Sequence, residues 1–266
     1  MSETTVVLEP FYADDPDEEA LRTLRELSVD YVPSDASVGA LHEADLVLMA
    51  GQFVGAGKST FIKDLTTQQG RENVPSWTNR ELRQGELEGI DKSKRSLPAI
   101  ARAATEGSLL EFVEVRPGIF YATPALFTPG REYVKDVELQ GALRLREIAP
   151  ELRIVVPLPP LDPVESLQVT EWERRVVERD IRGGVTARAI DDLEQRLKGA
   201  AEEATRIQEL DLVDDPRTFF VVNRSLPEAV LAMNVFLQTG EKTQQDGIRA
   251  HIKQLGSLAS AAISAH

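Results

Sequence analysis

The segment from Leu46 to Thr60 constrains this chain more than any other. Leu46-Val47-Leu48-Met49-Ala50 is a short apolar run with the profile of a strand buried on both faces. It ends at Gly51-Gln52-Phe53-Val54-Gly55-Ala56-Gly57-Lys58-Ser59-Thr60, and a helical pattern continues to about Gln69. A strand that enters a helix through glycines turns backbone N–H groups toward one point, with the positive end of the helix behind them. That suits a phosphate. Lys58 would reach the β- and γ-phosphates of a nucleotide, and the Ser59 or Thr60 hydroxyl would hold Mg2+. The usual spacing puts its first glycine where this chain has Gln52, so Gly51 stands one residue early. Either the loop is one residue longer, or Gln52 takes a conformation that glycine would normally take. The plainer alternative is a glycine-rich turn whose Lys-Ser-Thr only starts a helix. The strand before it and the helix after it count against that alternative.

The remaining composition narrows the function classes. The 266 residues carry a formal net charge of −14, which argues against a nucleic-acid binder, because such a protein must neutralise many phosphates. With no cysteine there is no disulfide framework and no thiolate metal site. No apolar run is long enough to span a membrane, and the acidic N-terminal stretch does not read as a secretory signal. The expectation is a cytoplasmic protein. Acid is concentrated in residues 9–30 and base in residues 71–95, where Arg71, Arg80, Arg83, Lys92, Lys94 and Arg95 fall. An acidic chain with one local basic cluster suits a small polyanionic ligand.

Along the chain, Val6–Leu8 reads as a short strand, and Asp17 as the cap of a helix running to Leu27. A helix is expected near 97–106, a hairpin of 108–115 with 119–122, and strands at 133–139, 152–158 and 218–222. Helices are expected at 140–148, 163–180, 187–210 and from about 227 to 237, with a break at Arg182-Gly183-Gly184. Ile248, Ile252, Leu255, Leu258 and Ile263 have the spacing of one amphipathic helix. Alternating strands and helices predict an α/β fold with a central parallel sheet.

Further motifs follow the loop in order. Residues 76–91 run Ser-Trp-Thr-Asn-Arg-Glu-Leu-Arg-Gln-Gly-Glu-Leu-Glu-Gly-Ile-Asp, which resembles the guanylate-kinase signature S-x-T-T-R-x-x-R-x-G-E-x-x-G-x-D-Y. The stretch 109–115 is similar to that family's L-E-x-x-E-V, Tyr121–Pro124 to its Y-G-T-P, 136–142 to its D-x-D-x-Q-G-A, and 220–223 to its V-x-N. The resemblance spans about 44–240. It implies a P-loop kinase three-layer fold with an inserted NMP-binding lobe at about 74–125 and a lid at about 179–187. Residues 1–43 would be an extension and 241–266 a helical tail.

The resemblance also implies roles. Gly51, Gly55, Ala56, Gly57, Lys58, Ser59, Thr60 and Asn223 would bind ATP, with Ser59 on Mg2+. Two arginines three apart can converge on one phosphate, each with a planar donor fork; Arg80 and Arg83 would hold the acceptor's phosphate with Tyr121. Glu111 would pair with the ring N–H and exocyclic amino group of guanine, which adenine cannot offer side by side. Ser76, Thr123 and Glu138 would make the remaining guanine contacts. Lys58, Arg179, Arg182 and Arg196 would supply positive charge around the transferred group. The implied reaction is phosphorylation of GMP, and of dGMP, by ATP, with oligomeric state left open. The chain departs from the pattern at Lys92, where the family has tyrosine, at Glu138 for aspartate, and at Asn79 for threonine. Two other readings stay open: the same fold with another NMP acceptor, and a non-catalytic module that binds a phosphorylated partner.

Overall fold

A computed structural model describes residues 16–83, 85–164, 169–181, 187–243 and 245–264. The expected strand Val6–Leu8 lies outside them, as do Arg182, Gly183 and Gly184. Helices α1 (Pro16–Leu27) and α2 (Asp35–His42) precede β1 (Asp45–Ala50) and α3 (Lys58–Gln68). Short strands β2 (Glu72–Asn73), β3 (Ser76–Thr78) and β4 (Lys92–Lys94) come next. Then follow α4 (Leu97–Thr105), β5 (Leu109–Arg116), β6 (Ile119–Pro124), β7 (Glu132–Val137), α5 (Leu139–Ile148) and β8 (Arg153–Leu158). The chain continues with β9 (Pro163–Val164), β10 (Val169–Thr170), α6 (Glu171–Ile181), α7 (Ala187–Glu209), β11 (Thr218–Val222), α8 (Leu226–Thr239) and α9 (Ile248–Ser264).

The main sheet is parallel throughout, in the order β11-β8-β1-β7-β2. Strands β1 and β8 are apolar on both faces along most of their length because helices cover both. Along β1, Leu46, Leu48 and Ala50 enter one apolar cluster with Leu145 of α5 and Leu197, Ala204 and Ile207 of α7. Val47 and Met49 enter the other, with Phe61 and Leu65 of α3 and Met233 and Phe236 of α8. The two-residue strand period thus sorts one hydrophobic run into two cores and gives three layers. Helix α9 adds to the first face, where Ile248, Ile252, Leu255 and Ala259 pack with α7. Gly256 lets the two helices approach closely, since a Cβ there would lie 3.0 Å from that of Ala204.

A second sheet, β4-β3-β6-β5, stands over the end of the first. It has its own core, made of Phe112, Phe120 and Ala122 with Ile100 and Ala104 of α4 and Ala20 and Leu24 of α1. The N-terminal helix is therefore built into this lobe. Asp17 sits in its first turn, after Pro16, where its charge favours the helix dipole. The link onward is tied down as well: Tyr31 Oη donates to the Leu109 carbonyl at 2.6 Å, and the Ser34 N–H to the Gly107 carbonyl at 2.9 Å.

One expected helix changes its start. Pro163–Val164 and Val169–Thr170 form the antiparallel pair β9–β10, and α6 begins at Glu171. The reason is a capping box, in which the Thr170 N–H donates to Glu173 Oε2 (2.7 Å) and the Glu173 N–H to Thr170 Oγ1 (3.2 Å). Leu24 is fully buried between α1 and the lobe. Leu24→Ala is expected to cost about 2–5 kcal/mol in denaturant unfolding, where a separable extension would cost nearly nothing.

Candidate active site

The loop between β1 and α3 takes its turns at glycine. Gly51, Gly55 and Gly57 have φ of +116°, +75° and +89°, whereas Gln52 stays out of the left-handed region. The loop is thus one residue longer, and Gly51 rather than Gln52 makes the first turn. Three elements hold it from outside. The Asn223 side-chain amide, just past β11, donates to the Ala56 carbonyl at 3.0 Å. Trp172 Nε1 on α6 donates to the Val54 carbonyl at 2.9 Å, and Arg175 to that of Gly55 at 3.3 Å. The Gln52 N–H donates to Glu203 Oε1 on α7 at 2.9 Å. Asn223 is buried beneath the loop, so its place is that of a support. Ser59 and Thr60, in the first turn of α3, are exposed.

Loop and lobe face each other across a cleft of about 1020 Å³. The loop residues Gly51, Gly55, Ala56, Gly57, Lys58, Ser59 and Thr60 line one side of it, and Arg80, Arg83 and Tyr121 the other. Lys58 Nζ donates to the Gly51 carbonyl (2.6 Å) and pairs with Asp136 Oδ1 (2.8 Å). Burial opposes its charge, but Asp136, Glu138 and Glu203 outweigh that and raise its pKa. Lys92 takes the other oxygen of Asp136 at 3.1 Å and lies 4.8 Å from the centre of the Tyr121 ring. Burial alone would raise the Asp136 pKa, but Lys58, Lys92 and Lys135 hold it below the ordinary value. Arg80 forks onto Glu86, with both contacts at 2.7 Å, while its Nε donates to Tyr121 Oη at 2.9 Å. Glu86 also accepts from the Arg83 backbone N–H at 2.7 Å, so one carboxylate ties the Arg80 guanidinium to the backbone at Arg83.

A narrow recess shares Lys92, Tyr121, Asp136 and Glu138 with the cleft and adds Ser76 and Glu111. Glu111 is 4% exposed; its Oε1 accepts from Thr123 Oγ1, and its Oε2 has no partner. Glu138 Oε2 is likewise unpartnered. Burial raises the pKa of both carboxyls. At about 10 Å³ the recess admits no purine as it stands.

The structure therefore brings Ser76, Arg80, Arg83, Glu111, Tyr121, Thr123 and Glu138 together beside the loop. Arg196 reaches the same cleft from α7. Arg179 belongs to α6, but its side chain lies outside the described residues. Sequence reading missed Arg175 and Glu203. The capping box at Thr170 could have fixed the phase of α6 and turned Arg175 toward the loop. Glu203, in a long helix among many acidic residues, gave no such signal. Among the described residues no group of three or more His, Asp or Glu side chains could hold a metal.

A phosphate-binding loop on a five-stranded parallel sheet, opposed by a smaller arginine-bearing sheet, defines a P-loop kinase of the nucleoside monophosphate class. The chain is 32% identical over 166 residues to the guanylate kinase of Nitratidesulfovibrio vulgaris, covering 59% of this chain and 72% of that protein. It is 28% identical over 212 residues to the guanylate kinase of Pasteurella multocida, covering 76% and 92%. In fold it is similar to the guanylate kinase of Anaplasma phagocytophilum, with a TM-score of 0.50, 22% identity and coverage of 79% and 94%. No family model matches. The chain belongs to the guanylate kinase family.

Glu203 generates a pH prediction. Burial pushes its carboxyl up to about 8, against the Gln52 N–H and with Glu138 adding to the rise. The folded state keeps a proton that the unfolded chain releases near 4.5. The linked stability is complete below that value and is lost as pH rises toward 8. The stability of Glu203→Gln relative to the parent is expected to increase between pH 5 and pH 8 by more than about 1 kcal/mol in denaturant unfolding. A difference that stays flat with pH would mean that the buried carboxyl is ionised.

Proposed function

We propose that this chain transfers the γ-phosphoryl group of ATP to GMP, and to dGMP, by in-line displacement. The observation that carries this reading is one cleft with the glycine loop and Lys58 on one side, Arg80, Arg83 and Tyr121 on the other, and a buried, half-satisfied carboxyl beside them. The loop and Lys58 take the donor's phosphates. Arg80, Arg83 and Tyr121 take the acceptor's phosphate, and Glu111 Oε2 accepts from the base. A carboxylate oxygen without a partner at 4% exposure calls for a ligand with N–H donors. Guanine presents two side by side. Phosphoryl transfer asks the protein for positioning and positive charge, and Lys58, Arg175 and Arg196 bring that charge to the loop side of the cleft. Arg179 and Arg182 would add to it from a lid at about 179–187.

Magnesium fits the donor set. Ser59 offers one exposed hydroxyl at the mouth of the loop, and a small hard cation takes its other oxygens from phosphates and water. When bound, the ion would neutralise charge between the two outer phosphates. Asp136 holds Lys58 in the cleft until phosphates arrive. We assign the catalytic unit to residues 44–240, with the acceptor lobe at about 74–125.

The test is ADP release from Mg·ATP with a panel of nucleoside monophosphates. GMP is expected to be the best acceptor, and turnover of another acceptor without GMP would overturn the assignment. Lys58→Ala is expected to lower kcat by about 10²-fold or more, since the charge acts in the transition state. Glu111→Gln is expected to lower kcat/KM for GMP by roughly 10- to 100-fold while leaving the KM for ATP unchanged. Equal GMP kinetics in that variant would remove Glu111 from base recognition.

A further inference from the structure

The peptide between Gly51 and Gln52 is held from both sides. Its carbonyl accepts from Lys58 Nζ at 2.6 Å, and its N–H donates to Glu203 Oε1 at 2.9 Å. A trans peptide is planar, with oxygen and hydrogen on opposite edges, so fixing one edge aims the other. Glu203 on α7 is therefore tied through one rigid unit to a cation that lines the cleft. That tie differs in kind from the one to Asp136. Entering phosphates compete with a carboxylate for Lys58, whereas a neutral carbonyl can keep one ammonium hydrogen while the others turn to phosphate.

Helix α7 is shaped for the contact. Gly199 and Glu203 stand four residues apart, on one face of the helix. A Cβ at Gly199 would overlap Gln52 Oε1, so the missing side chain leaves room for the extra residue of the loop. Glu203, one turn on, supplies the acceptor for that residue's N–H. A Cβ at Gly51 would lie 3.2 Å from Glu203 Oε1, so glycine at the first turn lets the loop close against the carboxyl. Glu203 is buried, and Leu197, Ala200, Ala204 and Ile207 anchor its helix in the main core. Without this acceptor the Gln52 N–H would have to turn toward another partner, and the carbonyl aimed at Lys58 would turn with it.

We propose that Glu203 is a positioning residue for phosphoryl transfer, which aims the Lys58 ammonium through the Gly51–Gln52 peptide. The proposal rests on the reading of Lys58 as the cation at the donor's phosphates. Glu203 acts from behind the loop and does not itself line the cleft.

The experiment measures steady-state kinetics with Mg·ATP and GMP. Glu203→Met fills similar space without an acceptor and is expected to lower kcat roughly tenfold, with the KM for GMP within about twofold of the parent. In a Lys58→Ala background the same substitution should cost less than about twofold, because the group it aims is gone. Glu203→Gln keeps an oxygen acceptor and should hold kcat within about threefold of the parent. A residue that only stabilises the fold would show neither the dependence on Lys58 nor the split between kcat and KM. An unchanged kcat in Glu203→Met, an equal loss in both backgrounds, or a Glu203→Gln as slow as Glu203→Met each overturns the inference and leaves the function standing. A parent protein that turns over no GMP overturns both. If Glu203→Met does not fold, Glu203→Asp, which draws the acceptor back by one methylene, takes its place under the same criteria.

Discussion

The carboxylate of Asp136 is the point on which the two halves of this molecule meet. It ends a strand of the main sheet and holds Lys58 of the phosphate loop with one oxygen and Lys92 of the lobe with the other, at 2.8 and 3.1 Å. Its side chain is only 31% exposed, so water screens these contacts less than it would at the surface. Lys58 is kept charged and aimed by this pair, and Lys92 is drawn across the ring of Tyr121 toward Ser76. Phosphates entering the cleft would compete with Asp136 for the same cations.

Around that bridge the loop is held mainly by contacts to its backbone. Asn223, Trp172, Arg175 and Glu203 each bind a peptide group of the loop, from three places in the fold. The left-handed turn at Gly57 admits no side chain, since a Cβ there would lie 2.4 Å from the Asn223 amide nitrogen. The extra residue, Gln52, is tolerated because its N–H has a buried carboxyl to meet on α7. Helix α9 in turn covers α7, so the C-terminal segment supports the loop through two layers of packing.

Much of this was legible in the chain. The apolar run at 46–50, the glycines after it and the ordered motifs between 76 and 142 specify local geometry, because each needs only its neighbours in sequence to form. The start of α6 was legible too, in Thr170-Glu171-Trp172-Glu173, although periodicity alone extended the helix to 163. The place of α1 was not. Its acidic, polar composition resembles that of a free extension, and only Phe112 and Ile100, far along the chain, show which of its faces is covered.

By itself the sequence determined the class of loop, the parallel sheet and the types of side chain that line the cleft, since these follow from short-range pattern and spacing. Only the tertiary structure decided that Gly51 makes the first turn, that Glu203 meets Gln52, and that Lys135 reaches Ser76. Those contacts join residues about 60 to 150 positions apart, and burial sets both their strength and the charges they can carry. A lone lysine in a strand pattern signals nothing until the sheets close over it.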